Sequence, residues 1–386
     1  MACLNDKNLP YLVTYNPQDP QLHYVLRSTS VLVRKDDFDY FYIQFSCHNS
    51  FSIYNIKDIV PADIFSQILD RKVFLVVDNG LEPFLKSADG IYYNLVINAG
   101  IPAEQIIFMS SVPTMSDYVK KLAAKLNQAL INVEWYSMFE YQLYDVVSHQ
   151  LTEYIVPLQK TEYKKKYINF NRRWRLHRPL LVTMLHDRGL LDHGYVSLGE
   201  SDFPNDNWNS KWAEMLRYYS GSPEILEILR RNEDVKKLTP MYLDTEDLVT
   251  NRAAHQTSTD QYYLDTYFSL ITETTYHTRP GYDGVPFLSE KVFKSIAMRH
   301  PFVLATAPNS LQYLKELGYK TFSPLIDESY DLEIDDGKRM IKIVNEVERL
   351  CNLEGEELKT FLKEAMRICA YNFSVLSKKS NFIKKM

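Results

Sequence analysis

Glycine, cysteine and long apolar runs are scarce in this sequence. Only 12 of its 386 residues are glycine, and no internal repeat or low-complexity segment is present, which excludes a repeat array. The four cysteines, Cys3, Cys47, Cys351 and Cys369, lack the spacing of metal ligands, so we expect reduced, small apolar side chains. No apolar run approaches the roughly 18 residues of a membrane-spanning helix, and the first residues lack the pattern of a signal peptide. We therefore expect a cytoplasmic protein.

Excess positive charge is also missing. Residues 1–150 hold 11 Lys and Arg against 16 Asp and Glu, a net charge of −5, and the remaining 236 residues hold 33 of each. Non-specific binding to nucleic acid depends on an excess of cations, so this balance argues against it. A chain of 386 residues is too long for one ordinary core and is typical of two domains.

The first half of the chain alternates predicted strands with predicted helices. This order favours a Rossmann-like α/β sheet, in which apolar runs form buried parallel strands. The predicted strands are Tyr24–Val33, Phe38–Phe45, Val73–Asp78, Gln105–Met109 and Val133–Tyr144, and the clearest predicted helix is Met115–Leu130.

Acidic and amide side chains follow the strand that ends at Asp78. Ligands of open parallel sheets bind at the carboxyl ends of the strands, where Asp78, Asn79 and Glu82 would lie. Asp78 or Glu82 could act there as a general base on an acceptor hydroxyl. Alternatively, Asp78 caps a helix that begins near Leu81, which is a common role for Asp.

A basic loop opens the second half, after a charged and irregular stretch over 150–166 that we interpret as a linker. A short strand, Tyr167–Phe170, precedes the loop, and a predicted helix, Leu180–Arg188, follows it. The loop carries one histidine and four arginines, namely Arg172, Arg173, Arg175, His177 and Arg178. Arginine between a strand and a helix N-terminus is typical of phosphate binding. The alternatives are a solvated turn and a nucleic-acid patch that uses Trp174 and Arg175.

The segment 287–304 gives the most specific local prediction. Ser289 is a good helix N-cap and Glu290 suits the first turn, followed by Lys291. The helix should end before His300-Pro301, and a buried strand should follow at Phe302–Leu304. A strand over 268–274 precedes this segment and ends with Glu273 and Thr274. We also predict a short strand at Tyr319–Phe322 and two amphipathic helices over 337–373.

The Glu290-Lys291 pair, at the start of a helix that leads into a proline and an apolar strand, resembles the donor-site motif of GT-B glycosyltransferases. The closest branches are the fucosyltransferase-like and exostosin-like ones, and the resemblance covers about residues 165–335. It implies two Rossmann-like domains that face each other across a cleft, with C-terminal helices that cross back. We accordingly place an acceptor-side domain at 1–160, a donor-binding domain at 161–373 and a basic tail at 374–386.

The resemblance also implies roles for residues of the donor pocket. Glu290 would bind the ribose of a sugar nucleotide, with Ser289 beside it, and Glu273 and Thr274 would face the sugar or base. Lys291 would meet the diphosphate. An arginine of the basic loop would do the same, and the candidates are Arg173, Arg175 and Arg178.

These expectations describe a metal-independent, inverting glycosyltransferase that uses a nucleotide-sugar donor and no cofactor. The run Asp37-Phe38-Asp39 could hold a divalent cation, but we interpret it as a solvated hairpin turn. The acceptor would be a glycan or a lipid-linked glycan, or alternatively a hydroxymethylated base of DNA. A non-catalytic protein of the same fold that binds a nucleotide or a glycan is the alternative from another class.

Overall fold

The computed structural model describes residues 31–35, 38–44, 55–80, 83–137, 139–140, 162–171, 173–199, 208–241, 243, 260–278 and 284–384. The chain forms two compact units, Met1–Met138 and Phe139–Lys385. The boundary expected between residues 160 and 161 lies outside the described residues. No helix within the described stretches is long and apolar enough to cross a membrane.

The first unit is built on a five-stranded sheet with the strands in chain order. The strands are β1 (Val31–Lys35), β2 (Phe38–Gln44), β3 (Val73–Asp78), β4 (Ile106–Ser110) and β5 (Asn132–Trp135). β1 and β2 form an antiparallel hairpin, and all other neighbours are parallel. The apolar runs of β3 and β4 are almost wholly buried, as expected for central parallel strands.

Helices connect the parallel strands of the first unit. They are α1 (Ala62–Leu69), α2 (Ser87–Gly90), which continues as a π-helical segment (Ile91–Asn98), and α3 (Met115–Leu126), with single 3-10 turns at Ile56–Asp58 and Ala103–Gln105. Ile64 and Ile68 of α1 are buried four residues apart, so one face of this helix packs on the core.

Some sequence-based boundaries in this unit were wrong. The last strand ends at Trp135, and the first helix after β3 begins at Ser87, not near Leu81. Asp39 lies within β2, paired with Arg34, so it belongs to a strand and not to the hairpin turn. Residues 24–30, 36 and 37 lie outside the described residues.

The second unit is built on a four-stranded, wholly parallel sheet in the order β7-β6-β8-β9. Its strands are β6 (Tyr167–Asn169), β7 (Gly194–Val196), β8 (Phe268–Thr272) and β9 (Phe302–Ala305). Every residue of β8 and β9 is buried, so the core of the unit surrounds these two strands. The strand order reverses at β6, because β7 lies on one side of it and β8 on the other.

The described residues of the second unit are rich in helix. They are α4 (His177–Asp187), α5 (Trp208–Tyr218), α6 (Pro223–Arg231), α7 (Asp260–Asp265), α8 (Glu290–Ala297), α9 (Ser310–Glu316), α10 (Asp336–Cys351) and α11 (Gly355–Lys384), with 3-10 turns at Leu191–His193, Glu233–Lys237 and Glu328–Leu332. α4 begins three residues before the predicted Leu180, since Pro179 is tolerated in a first turn.

The predicted strand at Tyr319–Phe322 does not form. Its backbone is instead held by Asn372 of α11, which donates to the carbonyl of Lys320 and accepts from the N–H of the same residue, both at 2.8 Å. The side-chain amide of Asn372 thus makes the two backbone hydrogen bonds that a neighbouring strand would make. α11 also runs through most of the predicted tail, as far as Lys384.

The protein has a mixed α/β fold with parallel, Rossmann-like sheets, as predicted. The GT-B arrangement, with facing domains and helices that cross back, stays a prediction.

Candidate functional site

The strand order of the second sheet reverses at β6, and the reversal point lies between β6 and β8. In open parallel sheets a ligand crevice forms at such a reversal, outside the carboxyl ends of the two strands. The basic loop follows β6 at this edge, and Glu273 follows β8. The topology therefore brings together two segments that are about a hundred residues apart in the sequence.

The backbones of β6 and β8 separate toward this edge. They pair only at Tyr167 with Phe268 and at Ile168 with Ser269, although β8 continues to Thr272. Beyond these pairs, side chains span the gap. Asn169 Nδ2 donates to the carbonyl of Leu270 at 2.7 Å, and Thr272 Oγ1 donates to Asn171 Oδ1 at 2.5 Å.

The first two residues of α4 bind the end of β8. His177 Nε2 donates to the carbonyl of Glu273 at 3.0 Å. Arg178 Nη2 donates to the carbonyl of Thr272 at 3.4 Å, and its Nη1 donates to the carbonyl of Arg173 at 2.8 Å. Both side chains are buried, with exposed fractions of 1% and 4%. The start of α4 is therefore fixed to consecutive carbonyls of the β8 edge.

Burial lowers the pKa of both groups. It holds the pKa of His177 well below its usual value, and the neighbouring His277 and Arg178 act in the same direction. It also lowers the pKa of Arg178 to about 10, and Arg175 contributes, while Glu273 and Glu290 oppose the shift. Arg178 is thus a buried cation at neutral pH, and His177 is a neutral imidazole.

Glu273 is a fully buried carboxylate at the centre of the site. Its Oε1 accepts a hydrogen bond from the backbone N–H of Ser289 at 2.9 Å, and its Oε2 has no hydrogen-bond partner. Burial raises the pKa of Glu273, Lys291 lowers it, and Glu290 raises it further. Arg178, Glu273, Glu290 and Lys291 are therefore electrostatic neighbours, although they come from three separate segments.

The start of α8 forms as the sequence predicts. Ser289 is the N-cap, and its Oγ accepts from the N–H of Lys291. The Lys291 ammonium donates to Ser289 Oγ at 3.1 Å and to Glu290 Oε1 at 2.9 Å. Both members of the Glu290–Lys291 pair are partly exposed, so their charges are accessible at the helix N-terminus.

The remaining predicted residues of this site differ in exposure. Arg173 is exposed, and Arg175 and Thr274 are half-buried. Unpaired polar atoms also surround the edge, because buried hydrogen-bonding groups without a partner include His177 Nδ1, Arg178 Nε, Glu273 Oε2 and Thr275 Oγ1. Buried polar atoms normally have partners, so this concentration is what a ligand or water site would show.

The predicted base lies in the other unit. Asp78 is buried with 1% exposure, and its Oδ1 accepts from the N–H of Gly80 at 2.8 Å and from Tyr136 OH at 2.6 Å. These bonds hold the turn after β3 and do not cap a helix. Asn79 instead bonds Ser87, the first residue of α2. Glu82 lies outside the described residues, so the catalytic base stays a prediction.

One buried polar network, centred on Asp336, was not predicted from the sequence. Asp336, at the start of α10, accepts from Tyr218 OH at 2.5 Å and from Arg339 Nη2 at 2.7 Å, and it contacts His277 Nδ1 at 3.4 Å. Next to His277, the ring of Tyr276 stacks on His177 at 4.9 Å. The network therefore fixes the segment after β8 and, through it, the imidazole of His177.

Within the described ranges, no three His, Cys, Asp or Glu side chains are grouped as metal ligands would be. Neither a protein-family model nor a curated protein matches the sequence.

One solved structure is similar at a low level, an alpha,alpha-trehalose-phosphate synthase (UDP-forming) from Burkholderia vietnamiensis. The TM-score is 0.33 and the identity 10%, over 81% of this chain and 74% of that chain. A similarity of this degree is too low to indicate a function. The function is therefore inferred from the geometry of the site.

Proposed function

We propose that the chain is a nucleotide-sugar-dependent glycosyltransferase of the GT-B type, with the donor bound at the β6–β8 edge. One observation carries the proposal: at the reversal point of a parallel sheet, Arg178 of α4 binds the carbonyl of Thr272, and the next residue, Glu273, accepts from the N–H of Ser289 at the start of α8. Such an edge is where α/β sheets hold nucleotides. Lys291 at the start of α8 and the arginines of the loop after β6 supply the positive charge that a diphosphate needs.

The proposed roles follow from the exposure of each group. Lys291, which is partly exposed, would bind the diphosphate together with Arg173 and Arg175 of the loop after β6. Glu290 would accept hydrogen bonds from the ribose hydroxyls. Lys291 bonds Glu290 and Ser289 in the structure, and donor binding would exchange these bonds for contacts with the diphosphate.

Transfer of the sugar leaves a nucleoside diphosphate that carries additional negative charge. Fixed cations next to it stabilise that charge in the transition state, which is the main catalytic contribution we propose for this site. The scheme needs no metal ion. We further propose inversion by a single base, Asp78 or Glu82, acting on the acceptor hydroxyl.

We propose a glycan or lipid-linked glycan as acceptor and not modified DNA. The first 150 residues carry a net charge of −5, and duplex DNA is bound through an excess of cations. The burial of Asp78, with its Oδ1 bonded twice, favours a second candidate function, a non-catalytic protein that binds a nucleotide sugar.

A binding experiment tests the proposal. UDP, GDP, UDP-glucose, UDP-galactose, GDP-mannose and GDP-fucose would be added to the purified protein, and the melting temperature would be recorded, since a bound ligand raises it. We expect a shift with at least one of them, lost in Lys291→Ala. The matched control is Lys363→Ala, an exposed lysine of α11.

Hydrolysis of the bound donor without an acceptor would distinguish the two candidates. Release of free sugar supports the transferase, whereas binding without any release supports the non-catalytic protein. No shift with any of the six nucleotides would refute the proposed site.

A further inference from the structure

The side chain of Arg178 differs in burial from the other described arginines of its loop, Arg173 and Arg175. Arg173 is exposed and Arg175 is half-buried, but Arg178 has an exposed fraction of only 4%. A guanidinium that is enclosed and bonded to the backbone is poorly placed to meet a ligand.

Arg178 joins the two sides of the reversal point. Its Nη1 donates to the carbonyl of Arg173, in the loop after β6, and its Nη2 donates to the carbonyl of Thr272, the last residue of β8. The strand backbones no longer pair at this level, since their last bonded pair is Ile168 with Ser269. Arg178 therefore fixes the loop after β6 to β8, at a level where the backbones of these two strands are no longer paired.

The neighbouring contacts make this bond specific. His177 donates to the carbonyl of Glu273, the residue that follows β8, so consecutive side chains bind consecutive carbonyls. The guanidinium is planar and presents its donors in a fixed fork, which lets one side chain bridge two carbonyls. A lysine at this position keeps the charge but is a point donor on a flexible stem.

We propose that Arg178 is a positioning residue: it holds the Arg173–Arg175 loop at the edge of β8, and the loop arginines bind the diphosphate. This inference rests on the proposed function for its ligand, a nucleoside diphosphate. It changes the role expected for Arg178 from a phosphate ligand to a support for such ligands.

The test compares Arg178→Lys with Arg173→Gln, using the binding of UDP and GDP over a range of NaCl concentrations. A direct cation–phosphate contact is screened by salt. Arg173→Gln should therefore weaken binding and make its salt dependence shallower. Arg178→Lys keeps the charge, so it should weaken binding by roughly tenfold with the salt dependence unchanged.

The double variant gives a second readout. If Arg178 acts through the loop, Arg178→Lys should cost less affinity in the Arg173→Gln background than in the wild type, because groups that act as a unit are not additive. Arg231→Lys is the control for exchanging an arginine that makes a two-point contact, since Arg231 bonds both oxygens of Asp187 at 2.7 and 2.6 Å.

Amide hydrogen exchange of the ligand-free protein separates this inference from the proposed function. We expect the peptide that contains residues 173–176 to exchange about tenfold faster in Arg178→Lys than in the wild type, with unchanged exchange in β9. Unchanged exchange of 173–176 would overturn the inference, even if nucleotides bind. Wild-type affinity in Arg178→Lys would overturn it as well. Absence of nucleotide binding by the wild type would refute only the proposed function.

Discussion

The carboxylate of Glu273 accepts a hydrogen bond from the backbone N–H of Ser289 at 2.9 Å, which joins the end of β8 to the start of α8. The two residues are 16 positions apart, and the segment between them contains residues 279–283, which lie outside the described residues. A fully buried acid thus binds Ser289, the N-cap of the helix that contains Lys291.

The buried acid should make stability depend on pH. Burial raises the pKa of Glu273 above its ordinary 4.5. The unfolded chain therefore loses this proton first, and the free energy of unfolding falls as pH rises through the interval above 4.5. We expect this decline to be absent in Glu273→Gln. The melting temperature of the variant should therefore rise relative to that of the wild type as the pH increases from 4 to 7.

Glu316→Gln, an exposed carboxylate at the end of α9, is the control for the loss of one acid. Parallel melting curves for Glu273→Gln and the wild type at every pH would contradict the role assigned to burial.

Asp336 should give stability a pH dependence opposite to that of Glu273. Burial alone would raise the pKa of this acid, but hydrogen bonds from His277 and Tyr218 and the charge of Arg339 outweigh it and hold the pKa well below its usual value. A depressed pKa contributes stability above pH 3.8 that is lost as pH falls below it.

Asp336→Asn leaves the buried Arg339 guanidinium without its counter-charge, which should cost about 3–5 kcal/mol in the free energy of unfolding. Asp335→Asn is the matched control, because Asp335 is the exposed N-cap of α10 and Asn is an equally good cap. Equal costs for the two variants, measured by urea denaturation at pH 7, would rule out the buried pair as the cause.

His300 should limit stability in mild acid. Its Nε2 donates to the carbonyl of Thr266 at 3.0 Å and its Nδ1 lies 2.7 Å from Ser269 Oγ. Burial lowers the pKa of His300 to about 4. The unfolded chain binds this proton first, so stability falls as pH drops from 6.5 toward 4, by roughly 3 kcal/mol in full.

His300→Gln removes this titration and should reduce the acid loss, as measured by thermal melts from pH 7 to 4. The loss should not vanish, because burial also lowers the pKa of His177. An unchanged acid loss in His300→Gln would show that His300 does not contribute to it.

Gly80 has no side chain, which leaves room for the ring of Tyr136, whose hydroxyl donates to Asp78. A Cβ at this position would lie 2.3 Å from Tyr136 OH and 2.7 Å from the ring carbon that bears it. We expect Gly80→Ala to destabilise the first unit by about 1–3 kcal/mol in the free energy of unfolding, as overpacking does. Tyr136→Phe should not relieve the strain, since the ring itself is too close, whereas in a Tyr136→Ala background the cost of Gly80→Ala should largely disappear.

The sequence predicted the parts of the site that depend on neighbouring residues. The N-cap at Ser289, the helix that follows it and the strand before Glu273 arise from side-chain periodicity and capping, which act over a few residues. The buried apolar strands of both sheets were predicted for the same reason. The predicted strand at Tyr319–Phe322 does not form, because Asn372 holds that backbone from 52 residues away.

The sequence by itself determined that this is an α/β protein and that charged groups follow two of its strands. Only the tertiary structure decided what those charges do. The sequence predicted Arg178 as a phosphate ligand beside Arg173, yet its side chain is enclosed and bonded to Thr272, 94 residues away. The reason is physical: local pattern fixes which way a chain folds over a few residues, whereas burial and partners depend on which distant strands become neighbours.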